Sequence, residues 1–137
     1  MMTIQGFGYG SYGLQPAQTT WPSPAARSGV PHGAAMSITI LATMRYFLHT
    51  KTKKFAEFAR EVFKVDEPDD LKAAQAGIEA LVAWFKKIGT PTTLAEAGIP
   101  AEAIEKMAPD ALETAQKWGL GELYTLDKVT DMFKLCL

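Results

Sequence analysis

The chain has 137 residues, 47% of them hydrophobic, and its 14 Lys and Arg against 15 Asp and Glu give a formal net charge of −1. That length suits one domain with a modest core and excludes a nucleotide domain and a substrate domain side by side in it. So even a charge balance gives no long-range attraction to nucleic acid or an anionic membrane, and a single cysteine, Cys136, excludes an internal disulfide framework and suits a reducing cytoplasm.

Residues 1–31 differ from the rest. They hold Gly6, Gly8, Gly10, Gly13, Pro16, Pro22, Pro24, Gly29 and Pro31. Glycine raises the entropy cost of ordering and proline removes a backbone donor, so a loop or disordered arm is expected here. Within it, Gly8-Tyr9-Gly10-Ser11-Tyr12-Gly13 satisfies the letters of a dinucleotide-binding turn. Only seven residues precede the motif, leaving little room for a strand, and Pro16 falls where the phosphate-capping helix would begin, so no nucleotide site is expected.

From His32 to Leu137 the pattern is helical. The first helix spans about 33–48 and is apolar on nearly every face through Met36, Ile38, Ile40, Leu41, Met44, Phe47 and Leu48. Such a helix needs neighbours all round. Its least polar run, Ala34 to Met44, falls well short of the ~20 residues of a membrane span, and no basic stretch followed by an apolar core marks a secretory leader. A cytoplasmic protein with no membrane or nucleic-acid partner is expected.

The second helix, about 52–64, sets Phe55, Phe58, Ala59, Val62 and Phe63 opposite Lys54, Glu57, Arg60, Glu61 and Lys64. Asp66 to Asp70, with Pro68 among the carboxylates, reads as a helix start. Leu71, Ala74, Ile78, Leu81, Val82 and Phe85 mark the apolar face that follows, and Lys86, Lys87, Gly89 and Pro91 mark its end. Thr93 and Glu96 match a capping box for a short helix closed by Gly98. Pro100 opens another helix that Pro109 is expected to interrupt before a run over about 110–118. Thr125 caps a last helix whose shared face is Leu126, Val129, Phe133 and Leu137. The expected class is all-α, a helical bundle over 32–137.

The order of five segments carries a resemblance. Val30-Pro31-His32-Gly33-Ala34-Ala35-Met36, then Met44-Arg45-Tyr46, then Lys54 to Phe63, then Phe85-Lys86-Lys87-Ile88-Gly89-Thr90-Pro91-Thr92-Thr93-Leu94, with the ending from Leu126 through Leu135, resembles the C-terminal end of iron-containing alcohol dehydrogenases of the butanol dehydrogenase kind. The resemblance implies a parent enzyme that interconverts primary alcohols and aldehydes with NAD or NADP. In it an N-terminal α/β domain binds the nucleotide, and a helical domain supplies most ligands, one Asp and three His, to iron or zinc. By that resemblance His32 corresponds to the last ligand; on the residues alone it reads first as a helix-start histidine. No second ligand carries over, because Thr19 to Gly29 contains no histidine.

Several expectations follow from the resemblance. One imidazole does not make a catalytic metal site, so this chain is expected to be a domain fragment, inactive alone and without stoichiometric metal or NAD(P). An α/β nucleotide-binding domain encoded separately is the partner that would complete it. The alternative is a non-catalytic helical module, a homo-oligomer associating through the apolar first helix. His49 is read as a helix-end histidine, Cys136 as incidental, Glu102 and Glu105 as solvated helix charges, and Phe58, Trp84 and Phe85 as core.

Overall fold

A computed structural model of the chain describes residues 31–117 and 122–137, with His32, Thr114 and Lys117 described in backbone only. All but Pro31 of the glycine- and proline-rich arm, including the motif at 8–13, lies outside the described residues. Among the described residues five α-helices follow one another: α1 His32–Tyr46, α2 Thr52–Phe63, α3 Asp70–Lys87, α4 Ile104–Lys117, preceded by a 3-10 turn at Ala101–Ala103, and α5 Leu126–Lys134. No strand occurs among the described residues, and the fold is all-α.

α1 is central because its sequence leaves it no water-facing side. From Ala34 to Leu48 every residue is buried or half-buried. One face of it, through Ala35, Ile38 and Ala42, joins a core with Leu94, Ile99, α4 and α5, while Leu41 and Met44 on another face pack with Phe55, Ala56, Ala73, Ala74 and Ile78 of α2 and α3. The hydroxyls this helix buries are satisfied locally: Thr39 donates to Ala35 O at 3.1 Å and Thr43 to Thr39 O at 2.7 Å. Those bonds keep the polar atoms from being stranded in the core.

α2 and α3 form a tight antiparallel pair whose contact is built from Ala56, Ala59, Ala73, Ala74 and Gly77, all buried. The chain turns between them through Lys64 in the left-handed region, φ 56°, with Val65 N–H donating to Ala59 O at 3.2 Å, six residues back. This is a helix-ending pattern that glycine usually adopts. Arg60 then ties the connection down, donating to Glu67 O at 3.1 and 2.7 Å and to Asp70 Oδ1 at 2.8 Å. Asp69 caps α3 by accepting from Lys72 N–H at 2.9 Å, so Pro68 stands just outside the helix rather than in its first turn.

Three local expectations are corrected. The segment after Thr93 is a single turn, not a helix: Ile99 N–H reaches Leu94 O at 2.9 Å across Gly98, φ 73°, before a second turn can form. α4 runs through Pro109 without interruption. Pro109 is exposed while Met107, Ala108, Ala111 and Ala115 are buried, so the backbone donor that proline lacks is missing on the exposed side and the core contacts hold the helix. On α5 the buried set is Val129, Met132 and Phe133, continued by Cys136, whereas Leu126 and Leu137 are exposed. The true stripe has the same 3-4 spacing, but of the two expected outer members Leu126 is the exposed first residue of the helix and Leu137 lies past its end.

Candidate metal-ligand position at the start of α1

His32 is the first residue of α1, directly after Pro31, whose backbone is extended at φ −59° and ψ 144°. Proline suits this place because a residue ahead of the first turn needs no N–H of its own there. The Pro31 carbonyl accepts from Ala35 N–H at 3.1 Å, which closes the first turn. No side chain caps this end and no acidic residue lies in the turn. The first turn itself therefore supplies no anion to the positive end of the helix dipole.

One turn further in, Ser37 fastens α1 to the loop after α3. Its hydroxyl, 3% exposed, lies 2.6 Å from Pro91 O and 2.9 Å from Ala34 O, either of which can take its proton, and 3.0 Å from Thr90 Oγ1. The Thr90 hydroxyl supplies a donor when Ser37 accepts. The loop is braced in turn: Thr92 donates to Glu96 Oε2 from its backbone N–H at 2.6 Å and from its hydroxyl at 2.9 Å. Leu94 N–H reaches Cys136 O at 2.7 Å, joining the loop to the end of the chain. Thus the start of α1, the 90–96 loop and the residues after α5 form one braced corner. The sequence reading passed over Ser37; its signal was a serine inside an apolar helix, a residue that requires a partner once buried.

The capping box is displaced. Thr93 Oγ1 accepts from Glu96 N–H at 3.2 Å as expected, but the carboxylate reaches back to Thr92. The Thr92 backbone N–H and then its hydroxyl hold the Glu96 carboxyl below its ordinary range, with Lys86 adding to the effect. That carboxylate stabilises a turn and is not poised for acid or base work.

The other titratable candidates are dispersed. His49 is exposed in the turn after α1. It lies beyond the far end of α1, the 15-residue helix that His32 begins. Cys136 is 2% exposed, its Sγ donates to Met132 O at 3.7 Å, and burial pushes its thiol from an ordinary 9.0 up to about 12. It is a core residue, not a nucleophile. Glu102 and Glu105 are exposed, while Trp84, expected in the core, is 48% exposed beside a half-buried Phe85. Among the described residues no three His, Cys, Asp or Glu side chains gather closely enough to hold a metal ion. The described part of the chain therefore does not fit a metal centre, and the imidazole of His32 lies outside it.

The described residues form a helical domain that opens on a proline-histidine helix start. The chain is a member of the Fe-containing alcohol dehydrogenase family: the model of that family's C-terminal part matches residues 6–137, taking in most of the arm that composition sets apart. It is 28% identical over 121 residues to a probable NADH-dependent butanol dehydrogenase 2 of Bacillus subtilis, covering 87% of this chain and 31% of that protein. It is 27% identical over 131 residues to the lactaldehyde reductase of Escherichia coli, covering 95% of this chain and 34% of the enzyme. The fold matches the solved NADH-dependent butanol dehydrogenase A of Thermotoga maritima with a TM-score of 0.74 and 30% identity, over 83% of this chain and 30% of that one. The chain thus spans about a third of the length of these relatives.

Proposed function

We propose that this chain is the helical part of an NAD(P)-dependent, metal-dependent oxidoreductase acting on primary alcohols and aldehydes, that His32 is the one metal ligand it contributes, and that it does not turn over alone. The observation that carries this reading is the family match across 6–137 set beside the lack of a ligand cluster among the described residues. A single neutral imidazole falls short of the three or more protein ligands from which catalytic sites draw their affinity. The natural complement is a separately encoded α/β domain that brings the nucleotide site and the remaining ligands. The braced corner of Ser37, Thr90 and Pro91 supports the reading, because it holds the backbone that carries His32 in one place before any partner arrives.

Elemental analysis of the gently purified chain tests it. The expected result is iron and zinc well below one per chain, unchanged by His32→Ala. One tightly held metal per chain would overturn the proposal, and its loss in His32→Ala would show that this imidazole is nonetheless a ligand.

A second reading, a non-catalytic module that self-associates as a homo-oligomer, draws on the exposed Leu123, Leu126, Leu135 and Leu137, all within 122–137. α1, the helix expected to drive it, is already covered by the chain's own helices. Light scattering over a concentration series separates the readings: a mass that rises with concentration favours the module, and a constant monomer mass removes it.

A further inference from the structure

We draw no further inference here: the strongest candidate, the apolar surface patch of Trp84 and Ile88 on and just past the last turn of α3, 48% and 55% exposed, carries nothing because nothing in the structure shows what covers it.

Discussion

Gly77 is where the contact between α2 and α3 is narrowest. A Cβ built there would stand 2.5 Å from Ala59 Cβ and 3.0 Å from Ala59 Cα, and the backbone atom cannot swing aside as a long side chain could. Alanine should gain ~1 kcal/mol of helix propensity, but forcing the pair apart costs about 1–3 kcal/mol. Gly77→Ala is therefore expected to be net destabilising. A fall in Tm of several degrees by circular dichroism is the expected outcome, and an unchanged or raised Tm would mean the helices separate freely. At Cys136 the folded thiol titrates near 12 against an ordinary 9.0. Its contribution to stability is complete below about pH 9 and is lost as pH climbs toward 12, because the unfolded chain releases the proton first. The urea midpoint should fall more steeply from pH 9 upward in the native chain than in Cys136→Ala, which lacks the group; parallel curves would show that the thiol is not held protonated.

Helix elements here tolerate local faults where the fault faces water. Pro109 lies inside α4 on an exposed position, so its cost is one unbonded carbonyl and some strain against the preceding turn. Pro109→Ala restores the donor to Glu105 O and should stabilise the chain by about 1–3 kcal/mol, read as a higher urea midpoint with an unchanged slope. A loss of stability would show that the proline shapes α4 in a way the core requires. The 92–96 turn behaves oppositely with pH from Cys136. Glu96 is held below its ordinary range by Thr92, so its contribution is present at neutral pH and is lost as pH falls through its lowered folded value. Glu96→Gln should flatten the acid side of the stability curve. An unaltered acid limb in that variant would mean that the bonds to Thr92 contribute nothing.

For the molecule as a whole, the proposal that it is one part of a larger enzyme makes a kinetic prediction. The chain alone, supplied with ferrous or zinc ion, should give no alcohol-dependent reduction of NAD or NADP, since a lone imidazole holds no ion in place for the reaction. Addition of a separately produced α/β domain of the same family is the complementation arm, and turnover appearing only in the mixture is the expected result. Turnover by the chain without it would sink the fragment interpretation. Among the described residues no helix is long and apolar enough to cross a membrane.

Periodicity alone settled the all-α class, the places of α1, α2 and α3, and the Thr125 cap, which accepts from Lys128 N–H at 3.4 Å. These were legible because apolar spacing and capping chemistry act within a few residues of each other. The family was legible too, since the order of several helix segments survives where no single segment is diagnostic. Long-range contacts decided the rest. Whether Pro109 ends α4 depends on which face the core takes, and whether the 93–98 turn becomes a helix depends on how soon the chain must return toward Cys136. Trp84 is half-exposed and Cys136 buried although both sit on apolar spacings, because burial is set by which neighbouring helix is present, not by the residue's own period. Ser37 and Thr90 are 53 positions apart. No local pattern links them, and only the packing of α1 against the loop after α3 brings their hydroxyls together beside the helix start that carries His32.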